Sequence, residues 1–207
     1  MLLVDKPLHE LLAAFASPAP TPGGGSASAV AAAIGASLLT MVAELPKTRA
    51  GTPADRSALT AAAAALRRAQ QTLTRAVDDD SSAYDGVVAA YKLPKSTEDE
   101  RTARTDAIQN ALRAATDVPL GVMRDAAAAL DQAVVVATHG HRAAASDVGV
   151  AVALLRAGVN GAGLNVEINL GGLKDVAYAA TASSEAARLA RGAAEYADAA
   201  TAALANG

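Results

Sequence analysis

The stretch PTPGGGSASAVAAAIGASLLTMVAEL at residues 20–45 decides how the rest of the chain is interpreted. Two prolines and three consecutive glycines come first, followed by a long run of small apolar residues with no charge before Glu44. Proline and glycine interrupt regular structure, whereas alanine is the best helix former. The stretch therefore predicts a turn and then a helix that starts near Gly25 or Ser26 and ends before Pro46.

This stretch allows three interpretations. Residues 27–43 carry no charge and approach the length of a membrane-spanning helix, but Ala, Ser and Gly are weakly hydrophobic, which favours a buried central helix. A glycine-rich helix start can also offer backbone N–H groups to an anionic or polar ligand. However, PGGGS matches neither GxxxxGK[ST] nor a GxGxxG after a strand. On this motif alone the simplest explanation is a tight turn with close helix packing, in which Gly24 or Gly25 and Gly35 admit a neighbour.

The composition of the whole chain indicates an all-α protein. Of the 207 residues, 52% are hydrophobic and only 2% aromatic, and alanine supplies most of the apolar content. We expect one helical domain over residues 1–207, in which Pro119 kinks or breaks the fourth helix and Ser96 with Asp99 forms its capping box. The predicted helices lie at about 6–16, 26–45, 53–91, 97–138, 146–170 and 174–204.

Charge and residue types exclude several classes of function. The net charge is -3 and the basic residues are scattered, so a nucleic-acid surface is excluded. The chain has no cysteine, hence no disulfide, thiolate nucleophile or Cys-based metal site. Residues 1–12 lack a signal-peptide pattern, and we expect a cytoplasmic protein. One HxH at His139 and His141, without a third ligand, predicts no metal site, and no hydrolase triad pattern is present.

Two segments place polar side chains among apolar neighbours. VDDDSSAY at residues 77–84 puts three aspartates inside the third helix, where aspartate is unfavourable, and Asp80 is the one expected to face inward. In SDVGVAVALLRAGVNGAGLNVEINL, Asp147, Asn165 and Asn169 share one helical stripe, because 18 residues make five turns. Buried amides must be hydrogen-bonded, so the asparagines either link helices or line a polar pocket. Asp147 either serves the helix start or belongs to that pocket.

These stretches, in this order and spacing, resemble the cyclodeaminase/methenyltetrahydrofolate cyclohydrolase family, the C-terminal domain type of formiminotransferase-cyclodeaminase. The resemblance covers about residues 8–173 and includes DDDSSAYDGVVAAYKLPKSTEDERTARTDAIQNALRAATDVPL. It implies a multihelical subunit, a closely associated homodimer, and a folate site in a cleft near the subunit interface. It also implies a tetrahydrofolate derivative as substrate and no other cofactor.

The family contains two activities. One converts 5-formiminotetrahydrofolate to 5,10-methenyltetrahydrofolate and ammonia, and the other hydrolyses 5,10-methenyltetrahydrofolate to 10-formyltetrahydrofolate. We expect the hydrolysis, with the cyclodeaminase reaction or a non-catalytic helical dimer that binds a small anion or another metabolite as alternatives.

The resemblance also implies roles for individual residues. Catalysis would fall to Asp80 or Asp147, because a carboxylate can orient and deprotonate water or protonate departing ammonia. The segment PKTRAGTPADRS at residues 46–57 stands where relatives commonly have Gly-Lys-Lys-Lys-Tyr, so that Lys47 and Arg49 retain some of the charge that suits a glutamate tail. The predicted substrate-binding residues are Gly23, Gly24, Gly25, Ser26, Lys47, Asn165 and Asn169.

Overall fold

The computed structural model describes residues 2–205. Within them the chain forms six α-helices, two short 3-10 helices and no β-strand, with one isolated bridge between Thr48 and Gly140. The all-α prediction and the number of helices are confirmed. The helices are α1 Leu8–Phe15, α2 Gly24–Glu44, α3 Pro53–Tyr91, α4 Glu98–His139, α5 Ala145–Leu170 and α6 Val176–Ala205.

The starts of α3 and α4 are set by local caps. At α3 the hydroxyl of Thr52 accepts a hydrogen bond from the backbone N–H of Asp55 at 3.1 Å, as is typical of a threonine at a helix start. The capping box of α4 lies one residue later than predicted and is made by Thr97 and Glu100, whose N–H groups and side chains bond reciprocally at 3.1 and 3.2 Å. Glutamate reaches back to the cap, whereas the predicted Asp99 is one methylene shorter.

Pro119 lies inside α4, and the helix continues through it without a break. Proline has no N–H, so the carbonyl of Ala115, four residues earlier, lacks its helical donor. Asn169 of α5 donates from Nδ2 to that carbonyl at 2.7 Å. Of the predicted kink or break, the break is therefore wrong and the kink stays a prediction, and a side chain from another helix satisfies the carbonyl that proline leaves free.

The central helix α2 packs against α3, α4 and α5. It runs antiparallel to α5, since Gly24 lies beside Asn165 near one end and Gly35 beside Leu155 further along. A Cβ atom at Gly35 would lie 2.8 Å from Cγ of Leu155, closer than real side chains approach. The predicted close packing at Gly35 is therefore confirmed, and it brings the two helix backbones together.

Two segments are long and apolar enough to span a membrane by length and composition alone, Gly24–Glu44 and Arg142–Leu170. Within α2, however, Ala29, Ala32 and Leu39 are each 0% exposed and pack against neighbouring helices. Such burial is typical of the core helix of a bundle and agrees with the predicted buried central helix.

Two arginines, one in the loop between α2 and α3 and one in the first turn of α3, donate to backbone carbonyls near the ends of α2 and α4. Arg56 donates from Nη2 to the carbonyls of Leu45 and Pro46 at 2.7 and 3.0 Å. Arg49 donates from Nη2 to the carbonyl of Ala137, near the end of α4, at 2.9 Å. The last carbonyls of a helix have no intrahelical donor, so these cations satisfy backbone groups.

Candidate active site

A cleft of about 280 Å³ lies where the start of α2 meets α3, α4 and α5. Six of the nine predicted site residues line it, and Ser26 lies directly beneath them, so the structure unites most of the predicted site. The lining residues are Pro20, Thr21, Gly23, Gly24, Gly25, Asp80, Tyr84, Val87, Ala115, Asn165 and Asn169.

Asp80 is held by the first turn of α2. Its Oδ2 accepts hydrogen bonds from the backbone N–H of Ser26 at 2.8 Å and from the Ser26 hydroxyl at 2.9 Å. The hydroxyl also lies 3.2 Å from that of Ser81. A carboxylate is favoured there by free N–H groups and by the positive end of the helix dipole. Among residues 2–205 the hydrogen bonds to this carboxylate end on Oδ2, and Oδ1 accepts none.

The approach of Asp80 to α2 requires glycine at position 25. A Cβ atom on Gly25 would lie 2.0 Å from Oδ1 of Asp80 and 2.6 Å from its Cγ, so any side chain would displace the carboxylate. The glycine run therefore has two roles, which the sequence left as alternatives. It forms a wall of a ligand-sized cleft, and it permits close packing.

The three consecutive aspartates of α3 have different surroundings. Asp78 accepts hydrogen bonds from the backbone N–H groups of Leu3 and Val4 at 2.5 and 3.4 Å, which fastens the N-terminal segment to α3. Asp79 is exposed to solvent. Only Asp80 enters the cleft, because successive residues point about 100° apart around a helix. The prediction that Asp80 faces inward is confirmed.

Asn165 and Asn169 form the α5 side of the cleft. Asn165 donates from Nδ2 to the carbonyl of Gly161 in its own helix at 2.9 Å, and Asn169 donates to Ala115 of α4. Asn169 thus links two helices and lines the cleft, so that both interpretations of the sequence apply to it. Within residues 2–205 the side-chain amides of both asparagines form their hydrogen bonds through Nδ2. Each Oδ1 is therefore available as an acceptor.

Tyr84 and Val87 extend the cleft along α3 and were not predicted as ligand contacts. Spacings of four and seven residues put both on the same side of α3 as Asp80, and Tyr84, which is 43% exposed, lies at the cleft wall. A tyrosine ring offers a flat face for stacking and a polar hydroxyl. The spacing of four residues from Asp80 was the available signal, but the same spacing is typical of ordinary core packing.

The structure does not bring Asp147 or Lys47 to this cleft. Asp147 lies in the first turn of α5, and 18 residues of helix place it about 27 Å from Asn165. Lys47 follows the far end of α2 and lines a separate surface pocket of about 330 Å³, together with Arg56 and His141. Helical periodicity predicts only that Asp147 and Asn165 share one side of α5. The rise of about 1.5 Å per residue separates them along the axis, so a shared side did not place them in one pocket.

His139, at the end of α4, forms a hydrogen bond with Asp55 near the start of α3. His139 Nδ1 lies 2.9 Å from Oδ1 of Asp55, and Asp55 Oδ2 accepts the backbone N–H of Ala50 at 2.9 Å. The bond from His139 is the main cause that lowers the pKa of Asp55 to about 2, and the bond from Ala50 adds to it. Between residues 2 and 205 no group of three or more His, Asp or Glu side chains is arranged to hold a metal ion.

The fold and the cleft together define a multihelical domain with one carboxylate and two amides around a ligand-sized opening. The sequence profile of the family described as Formiminotransferase-cyclodeaminase matches residues 7–188. The chain is 43% identical over 175 residues to Methenyltetrahydrofolate cyclohydrolase of Methylorubrum extorquens, and the match covers 84% of each chain. It is 34% identical over 187 residues to Formimidoyltransferase-cyclodeaminase of Gallus gallus, covering 90% of this chain and 35% of that protein.

A solved structure agrees with these matches. The crystal structure of formiminotetrahydrofolate cyclodeaminase from Thermotoga maritima is 26% identical and superimposes with a TM-score of 0.86, covering 98% of this chain and 97% of the other. The chain therefore belongs to the formiminotransferase-cyclodeaminase family, as the three sequence stretches indicated. The chain spans about a third of the length of the Gallus gallus protein.

Proposed function

We propose that this chain is a methenyltetrahydrofolate cyclohydrolase, which hydrolyses 5,10-methenyltetrahydrofolate to 10-formyltetrahydrofolate. The observation that carries the proposal is the carboxylate of Asp80, held by Ser26 at the edge of a cleft that Asn165 and Asn169 close on the other side. Identity of 43% across 84% of a protein with that name supports it.

The chemistry of the reaction matches the groups of the cleft. Water adds to the carbon that bridges N5 and N10, and the bond from this carbon to N5 then breaks. The bridging amidinium is a cation, so the nearby carboxylate of Asp80 stabilises it and orients the water. Oδ1 of Asp80 takes a proton as the water adds and returns one to N5 as N5 departs. Overall one proton is released, because the cationic substrate becomes a neutral product.

The remaining groups of the cleft suit the ring system of a folate. The amide oxygens of Asn165 and Asn169 accept hydrogen bonds, the N–H groups at the start of α2 donate them, and the ring of Tyr84 provides a stacking face. The volume of about 280 Å³ lies at the lower end of the range for ligand pockets, so the cleft holds one part of the folate and the rest extends outside it. The reaction transfers no electrons and these side chains move its protons, so we propose no cofactor besides the folate substrate.

Formiminotetrahydrofolate cyclodeaminase is the second candidate, supported by the TM-score of 0.86 with a protein of that name. In this reaction N10 attacks the formimino carbon and ammonia departs, so Asp80 would protonate the leaving nitrogen. Both reactions involve 5,10-methenyltetrahydrofolate, as substrate in one and product in the other. The same cleft therefore suits either.

We also propose that two copies associate through the outer faces of α2 and α5. These neighbouring helices expose Ile34, Met41, Val150 and Leu164, with exposed fractions of 48%, 41%, 52% and 62%, and α2 carries no charge before Glu44. Such an apolar face is typical of a protein interface. Light scattering should give the mass of two chains, and the mass of a single chain would overturn this proposal.

The cysteine-free sequence suits a reducing compartment, and we propose a cytoplasmic location.

The function is tested by the near-ultraviolet absorbance of 5,10-methenyltetrahydrofolate at several pH values, with buffer alone as reference. We expect the wild type to accelerate the decay and Asp80→Asn to lower kcat by about 10²–10⁴. Asp79→Asn, the same change at the exposed neighbour, should keep the wild-type rate. If Asp80→Asn retains full turnover, the assignment of Asp80 is wrong.

The same assay separates the candidate functions. No acceleration by the wild type would overturn the cyclohydrolase proposal. Ammonia release from 5-formiminotetrahydrofolate would then decide for the cyclodeaminase. Folate binding without either reaction would identify the chain as a non-catalytic binding protein.

A further inference from the structure

Pro119 is buried in the middle of α4, where proline is strongly unfavourable because it withholds a backbone N–H. The carbonyl left without its donor belongs to Ala115, which lines the cleft. Asn169, also at the cleft, donates to this carbonyl at 2.7 Å, at the short end of the range for such bonds. The proline therefore acts on the cleft wall from a position outside it.

An asparagine amide has a donor end and an acceptor end, and rotation by 180° exchanges them. A carbonyl can only accept, so the carbonyl of Ala115 holds the Nδ2 end of Asn169 and leaves Oδ1 as the end for a ligand. With an ordinary residue at position 119, a backbone N–H would share that carbonyl and compete with Asn169 for it, which would weaken the hold on one orientation of the amide.

We propose that Pro119 is a positioning residue for this site, which reserves the carbonyl of Ala115 for Asn169 and thereby makes Asn169 a hydrogen-bond acceptor toward the ligand. The cleft then selects a ligand that presents an N–H donor or a cation at this point, as the pterin ring and the amidinium of the proposed substrate do. The identity of the ligand rests on the proposed function, whereas the orientation of the amide does not.

The variant Pro119→Ala restores an N–H that competes for the carbonyl of Ala115. It also removes part of a buried side chain, so its matched control is Val122→Ala, one turn along α4 at a residue that is 2% exposed. The control removes buried methyl groups and leaves the backbone hydrogen bonds of the helix in place. Should Pro119→Ala fail to fold, Pro119→Val restores the same N–H with a larger side chain.

The first measurement follows the side-chain amide of Asn169 by NMR in the full chain, with the signal assigned by its loss in Asn169→Ala. We expect exchange of this amide with solvent to be roughly fivefold faster in Pro119→Ala, the effect of one neutral hydrogen bond, and unchanged in Val122→Ala. Unchanged exchange in Pro119→Ala would overturn the inference.

The second measurement titrates 5-formyltetrahydrofolate, an unreactive folate, into each variant. We expect Kd to rise roughly fivefold in Pro119→Ala, in Asn169→Ala and in the double variant alike, because Pro119 acts only through Asn169. Additive losses in the double variant would refute that route. If the wild type binds no folate, the proposed function fails, while the amide exchange still decides whether Pro119 orients Asn169.

Discussion

Replacement of Gly25 by alanine tests whether the close approach of Asp80 to α2 creates the active carboxylate. The added Cβ atom would lie 2.0 Å from Oδ1 of Asp80 and 2.6 Å from Cγ, where real Cβ atoms essentially never come within 3.0 Å of another atom. Gly25 is buried at the start of a helix that packs on three others, so the carboxylate must move. Its bonds from Ser26, now 2.8 and 2.9 Å long, would lengthen or break.

The expected loss of activity in Gly25→Ala follows from those two hydrogen bonds. A hydrogen bond to a charged group contributes about 1.5–3 kcal/mol, so losing two would remove about 3–6 kcal/mol from the interactions that fix the carboxylate. A misplaced general base costs about 10²–10⁴ in rate, which corresponds to about 3–5 kcal/mol of activation free energy. Both estimates predict that Gly25→Ala lowers kcat by about 10² or more.

The assay is the decay of 5,10-methenyltetrahydrofolate absorbance, together with circular dichroism to verify that the variant is folded. Gly86→Ala is the matched control, because a Cβ atom there meets nothing within 4 Å, and the change from glycine favours the helix. This control should retain wild-type kcat. A folded Gly25→Ala variant with wild-type kcat would refute the requirement for a closely held carboxylate.

Two further predictions concern stability. The pKa of Asp55 is lowered from 3.8 to about 2 in the folded protein, so its stabilising contribution is complete above pH 3.8 and is lost as the pH falls through about 2. Urea unfolding should therefore show that wild-type stability declines more steeply between pH 4 and 2 than that of Asp55→Asn, and parallel curves would contradict the bond with His139. At Gly158 a Cβ atom would lie 2.8 Å from that of Ala32, so Gly158→Ala should lower the free energy of unfolding by about 1–3 kcal/mol. A variant at least as stable as the wild type, by the same measurement, would show that α2 and α5 can separate without cost.

Several features of this fold could be predicted because their causes lie within a few residues of one another. The cap at Thr52, the start of α2 in the run of glycines and the inward side of Asp80 all follow from turn chemistry and helical periodicity. The capping box at Thr97 was displaced by one residue, since Ser96 and Asp99 satisfy nearly the same pattern.

Features that depend on two distant segments were missed or misplaced. The break at Pro119 does not occur, because Asn169 of another helix supplies the donor that proline lacks. The proposed site lost Lys47, because this residue follows the opposite end of α2 from the cleft. It lost Asp147 for a reason within one helix, because 18 residues of helix separate Asp147 from Asn165 by about 27 Å. Tyr84 entered the cleft, although its spacing looked like core packing.

By itself, the sequence determined the helices, their polar and apolar sides, and the family. The tertiary structure alone decided that Gly25 admits Asp80 and that Asn169 completes α4 at Ala115. The physical reason is that periodicity and capping act within one or two turns of a helix. Which residues of one helix contact which residues of another is set by the packing of side chains that are far apart in the chain.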